Sequence, residues 1–146
     1  MMDEYERASE DLTRILSKLD VETYSKVVDP NTSDAACRSV QTVMNHVVRA
    51  GYGYANYLRQ QFGEIPVDRK SDYSLIDPKT AVEELELMLS FTEDTLKNKW
   101  ELSEEEMSRH KFTSSWGQEY DIEQILEHAI VHILRHRRQI ERFLLL

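Results

Sequence analysis

Cysteine, glycine and proline are scarce in this chain. A single cysteine, Cys37, in 146 residues excludes an internal disulfide and fits a reducing cytoplasm. Only four glycines and three prolines interrupt the chain, so most of it is free to be helical. No stretch approaches the roughly 20 apolar residues that span a bilayer. The opening MMDEYERASEDL lacks the basic and apolar regions of a signal peptide. Positive charge is short as well: 18 Lys and Arg against 27 Asp and Glu leave a net charge of −9. That balance opposes general nucleic-acid binding, whose affinity for phosphate backbones comes mostly from Lys and Arg. Several catalytic patterns are also missing. There is no P-loop, no dinucleotide-binding glycine fingerprint, no His-Glu-x-x-His of a zincin, and no Glu-x-x-His of a di-iron carboxylate bundle. The expectation is a soluble, cytoplasmic protein with no membrane and no nucleic-acid partner.

What is present is helical periodicity in four long segments. The first, about Asp3 to Leu19, carries Tyr5, Ala8, Leu12, Ile15, Leu16 and Leu19 on one side. After Asp29-Pro30-Asn31-Thr32, either Thr32 or Ser33 can cap a second helix running from about Ser33 to Phe62, with Ala36, Val40, Val43, Met44, Val47, Ala50, Tyr54 and Leu58 as its stripe. A loop with Gly63, Pro66 and the charged run Asp68-Arg69-Lys70 follows. Asp77-Pro78 then reads as an N-cap with proline in the first helical position, opening a third helix whose buried stripe runs from Val82 to Trp100. Ser103 and Glu106 form a capping-box pattern for a short extra turn, and Lys111 to Tyr120 reads as a loop. Asp121 with Gln124 caps a last helix that extends to Leu146. No segment reads convincingly as a strand, and neither repeat nor composition break divides the chain. The reading is one all-α domain over residues 1–146, an antiparallel four-helix bundle.

The chemistry lies on the last helix. At about 100° per residue, Ile122, Ile125, Leu126, Ala129, Ile133, Ile140 and Phe143 share an apolar arc. His136 projects from the middle of that arc, and His132 lies just inside its edge one turn earlier. His128 falls nearer the polar boundary. An imidazole buried without a partner costs about 1–3 kcal/mol, and a shared cation satisfies two rings at i, i+4 together. The plain alternative is a pair of core histidines bonded to carbonyls, a carboxylate or water. A third ring, His46, sits at the margin of the second helix's stripe beside Ala50 and Gly53, where small neighbours leave space. Three histidines on two helices leave a coordination position open for water or substrate.

Other polar residues have simpler readings. Arg135, Arg137, Arg138 and Arg142 fit a solvated face that complements the negative helix C-terminus, the other reading being a phosphate or anion site. Cys37 reads as a small core residue and His110 as a surface one. Trp116 and Tyr120 read as cover for one end of the bundle, with stacking on a ligand as the alternative.

The run His132-Ile133-Leu134-Arg135-His136-Arg137-Arg138-Gln139-Ile140 resembles the C-terminal His-x-x-x-His-Arg-x-Gln signature of the DinB/YfiT-like superfamily. The segment from Ser39-Val40 to His46 resembles its histidine segment on the second helix. The resemblance extends over nearly the whole chain in length and helix order. It implies a four-helix bundle, often a homodimer, in which His46, His132 and His136 hold a divalent metal such as Zn or Ni. Members of that superfamily include thiol transferases that use low-molecular-weight thiols, thiol-dependent isomerases and metal-dependent hydrolases. One departure is Arg138, where many relatives have Gly; on the helical wheel it points away from the apolar stripe.

A metal with an open position lowers the pKa of a bound thiol or water and makes a nucleophile near neutral pH. With a thiol cofactor, the chain itself needs no catalytic cysteine. Gln139 lies on the site side of the last helix and can orient a ligand or a ring nitrogen, and His128 is placed to carry a proton beside the metal ligands. The leading expectation is a metal-dependent enzyme with thiol S-transferase-like or hydrolase-like chemistry on a small electrophile. The alternative is a non-catalytic metal-binding or interaction bundle with an assembly or stress-related role.

Overall fold

The computed structural model describes residues 1–68 and 75–146; Arg69 and Lys70 of the charged run lie outside the described residues. Helices dominate: α1 (Met2–Leu16), α2 (Val21–Ser25), α3 (Val40–Gln61), α4 (Pro78–Leu96), α5 (Glu104–Arg109) and α6 (Ile122–Phe143), with a 3-10 turn at Ala35–Cys37. Two short strands, β1 (Phe112–Thr113) and β2 (Glu119–Tyr120), pair antiparallel just before α6. Each of the four long helices packs on two others, α1 on α4 and α6, and α3 on the same two. Their apolar stripes meet in one core that includes Leu12, Met44, Leu58, Leu85, Met88, Ile125 and Ile133. No helix among the described residues is long and apolar enough to cross a membrane.

Caps decide where these helices begin. Asp77 accepts the Thr80 N–H at 2.7 Å with Pro78 behind it, and Asp121 and Gln124 form a reciprocal box at the head of α6. Ser103 and Glu106 do the same for α5. The second long helix starts later than its sequence suggests. Ser39, not Thr32 or Ser33, is its cap, in a box with Thr42. Residues before it are held otherwise: the Asp34 carboxylate accepts the Ala36 N–H at 2.9 Å and starts the 3-10 turn, and the Arg38 carbonyl accepts from Val28 and Asp29. Local side-chain bonding of this kind offers the backbone an alternative to the helical ladder and keeps these residues out of the long helix.

Other expectations change in the same way. Helix α1 stops at Leu16, and Asp20 caps the separate short helix α2. Helix α4 ends at Leu96, so Trp100, expected in its buried stripe, lies beyond it and is 54% exposed. Helix α6 ends at Phe143 rather than Leu146. The segment from Lys111 to Tyr120, read as loop, contains the β1–β2 hairpin. Its turn is closed by Ser114, which bonds Gln118 in both directions, and by Gly117, whose φ of 86° belongs to the left-handed region that glycine enters without steric cost.

Two glycines on α3 give a stability test. A methyl group at Gly51 would overlap Met88 Sδ and stand 2.8 Å from its Cγ, and Met88 is fully buried with its sulfur accepting from the Tyr5 hydroxyl at 3.4 Å. A methyl group at Gly53 meets nothing within 4 Å. Gly53→Ala is therefore expected to raise stability by about 0.5–1 kcal/mol through helix propensity. Gly51→Ala is expected to lower it by about 1 kcal/mol, because overpacking of about 1–3 kcal/mol outweighs that gain. Urea unfolding midpoints that move together would contradict the packing of α3 on α4.

Candidate metal centre

The core face of α6 places His132 and His136 one turn apart, and the packing of α3 on α6 brings His46 opposite them. The His46 and His132 Nε2 atoms face each other at 3.0 Å. Ring centroids of the three lie 4.4 to 4.9 Å apart, with no pair stacked flat. One nitrogen from each ring falls within 4.8 Å of the others, so a single ion could be held between them. His136 is 6% exposed, and His46 and His132 are half-buried.

Protonation state favours ligation. Burial pushes His132 down to about 3, with smaller contributions from the neighbouring histidines and Arg135. Burial also lowers His46 and His136, and Gln139 partly opposes the shift at His136. Near neutral pH all three rings are uncharged, the form that binds metals. Two neutral Nε2 atoms at 3.0 Å require either one shared proton or a cation at their lone pairs. Nitrogens bound to a tetrahedral zinc lie about 3.3 Å apart, a separation within a few tenths of an ångström of this one. His136 Nδ1–H donates to Gln139 Oε1 at 2.9 Å, leaving Nε2 with its lone pair toward the other rings. An outer hydrogen bond of this kind fixes the tautomer of a ligating histidine. The donor set fits a divalent ion.

A family model described as the DinB family matches residues 1–144. This chain belongs to the DinB family. No curated protein and no solved structure matches it.

Two cavities flank the histidines of this DinB-family chain. One, of about 480 Å³, is lined by His46, His132 and His136 together with Asp34, Cys37, Arg135, Arg138, Gln139 and Arg142. The other, of about 410 Å³, lies on the far side of His46 and is lined by Ala50, Gly53, Tyr54, Tyr57, Ser115, Trp116 and His128. The hairpin builds its wall: Tyr57 stacks on Phe112 at 5.0 Å and its hydroxyl accepts the Ser115 N–H at 2.7 Å. Trp116 then lies over His128, centroids 5.5 Å apart and planes 26° from parallel. The Tyr120 hydroxyl shares a hydrogen bond of 3.0 Å with His128 Nδ1. Burial lowers His128 as well, so it too is neutral near pH 7.

The structure thus brings His46, His132, His136 and Gln139 together, and sets His128 about one helical turn away on the aromatic side, its centroid 6.3 Å from that of His132. Two residues that the sequence places elsewhere, Cys37 and Arg138, belong to the centre's surroundings, and so does Asp34. Cys37, expected in the core, is half-buried on the cavity wall with its thiol bonded to Asp34 Oδ2 at 3.4 Å. Asp34 was not singled out at all, because a residue before an irregular turn has no periodicity to read; the Ala36 N–H and the Cys37 thiol hold its carboxyl below the usual range. Arg138, expected to point away, lines the histidine cavity. The arginine cluster divides. Arg137 Nη1 binds Asp11 Oδ2 at 2.6 Å and ties α6 to α1, whereas Arg135, Arg138 and Arg142 face the cavity. His110, expected on the surface, is half-buried against Phe62.

Proposed function

We propose that this chain is a metal-dependent enzyme with a three-histidine divalent site, catalysing thiol S-transfer or hydrolysis on a small electrophile. The convergence of His46, His132 and His136 nitrogens from two helices carries the reading. The ring of four packed helices supports assignment of the chain to a single antiparallel four-helix bundle of DinB/YfiT-like type; that it acts in the cytoplasm as a homodimer is part of the proposal. His46, His132 and His136 would hold the ion, zinc or nickel by the nature of the donors. When bound, the ion supplies acidification of a thiol or water, so that a nucleophile is available near neutral pH.

The remaining work belongs to the chain. Gln139 accepts from His136 Nδ1 and keeps its Nε2 turned inward. His128, neutral and bonded to Tyr120, is placed to take the proton released from the nucleophile or return one to the leaving group. Trp116 and Tyr54 meet edge to face at the aromatic cavity and give an apolar electrophile a surface to lie on.

The test is turnover by untagged protein with one equivalent of zinc or nickel against a panel of small electrophiles, with a low-molecular-weight thiol or water as nucleophile. Chelation is expected to abolish turnover and leave helix content unchanged. Rates that survive complete metal removal would overturn the proposal. Replacing His128 or Gln139 without loss of turnover would remove that residue from the mechanism.

A further inference from the structure

The cavity beside the histidines carries charge that holding a metal does not use. Arg135, Arg138 and Arg142 are exposed at its wall, and none has a carboxylate partner among the described residues. The other arginine of this stretch, Arg137, is paired with Asp11 and Glu141. Positions 135, 138 and 142 share one face of α6, where like charges at three- and four-residue spacing repel. Asp34, the carboxylate on the same wall, is already engaged by the Ala36 N–H and the Cys37 thiol. In a chain of net charge −9, three unpaired guanidiniums around one concavity make a local field of opposite sign. Among the described residues, no arginine or lysine lines the aromatic cavity across His46.

We infer that the 480 Å³ cavity binds the anionic end of a substrate or cosubstrate, an oxyanion group held by Arg135, Arg138 and Arg142 with the reactive end of the molecule at the histidine nitrogens. The planar fork of guanidinium matches a carboxylate or a phosphate bidentately, and the cavity has the size of a small-molecule site. The inference rests on the metal-centre reading for the chemistry at the reactive end; the anion contact itself does not need the ion. Arg138 is then a specificity residue peculiar to chains that carry an arginine at this position.

Cys37 supplies a reporter, since it is the one cysteine of the chain and lies on the same wall. Alkylation forms its S–C bond and releases iodide, with either anionic iodoacetate or neutral iodoacetamide as reagent. Any change in thiol acidity affects both rates alike, so their ratio reports the local field. In full-length untagged protein at low salt, the iodoacetate to iodoacetamide ratio is expected to exceed that of the Arg135→Gln/Arg138→Gln/Arg142→Gln variant by about threefold or more, and about 0.5 M sodium chloride should remove most of the excess.

Millimolar succinate or inorganic phosphate should also slow iodoacetamide in the natural chain and not in the variant. Protection by one of them names its oxyanion as the preferred ligand. Equal ratios in the two proteins with no protection by either would overturn the inference. Both measurements are made before and after chelation with metal content recorded. An arginine-dependent ratio in protein that binds no metal would sink the metal centre alone; an arginine-independent ratio in protein carrying metal would sink the anion site alone.

Discussion

Replacement of His136 by Ala is expected to leave untagged protein with no stoichiometric zinc or nickel, where the natural chain is expected to hold one ion. His136 is the most buried of the three rings, and its Nδ1–H is spent on Gln139, so no other group on α6 stands ready to substitute for its Nε2. Loss of an outer partner of a ligating histidine costs about 10–100-fold in metal affinity, and loss of the ligand itself costs more. Gln139→Leu is therefore expected to weaken binding within that range, with His136→Ala below it. The effect has a second readout in stability. Metal at about 1,000 times its Kd stabilises a folded protein by about 4 kcal/mol, or roughly 10 °C in Tm for a chain of this size. The natural chain should show that shift and His136→Ala should not. Equal metal content by elemental analysis in both proteins would remove the site.

Mild acid is expected to destabilise the metal-free protein before its carboxylates protonate. An unfolded histidine titrates near 6.5, whereas His132 in the folded chain is pushed down to about 3, and His46 and His136 are lowered too. Between those pH values the unfolded chain binds protons that the folded chain refuses, so this contribution to stability is whole above about 6.5 and is lost as pH falls. Each such histidine contributes a slope of up to about 1.4 kcal/mol per pH unit. The window from pH 6.5 to 5 isolates the histidines, since Asp34, Asp77 and Glu64 have pKa values lowered by hydrogen bonds and stay ionised there. Urea unfolding after chelation should show a falling midpoint across that window, with a shallower fall in His132→Leu. A flat profile in the natural chain would mean that the rings are not held neutral. Bound metal should shift the whole loss to lower pH, because protons must then displace an ion as well.

The long helices were legible because their signal is local and repeated. The stripe of α6, for example, includes seven apolar residues at helical spacing, and Asp121 with Gln124 marks its start by a bond between neighbours. The same reasoning failed at Thr32 and Ser33, where a capping residue is present but the chain ahead of it is already committed by Asp34. It failed again at Trp100, whose place in the stripe is real in the sequence but lies past the point where α4 stops. The hairpin before α6 has only two paired residues on each side, too few to show a period of two.

Sequence alone determined the helix faces, and with them the alignment of His132 above His136 and the presence of His46 on another stripe. These follow from a fixed rotation per residue, which needs no knowledge of neighbours. Tertiary structure decided everything that depends on two elements meeting. It set the 3.0 Å approach of His46 to His132, brought Asp34 and Cys37 from an irregular turn to the cavity wall, and separated Arg137, tied to α1, from the three arginines that face the histidines. An exposed arginine on a helix is solvated surface until another segment builds a wall across from it, and no periodicity within one helix records where that wall will stand.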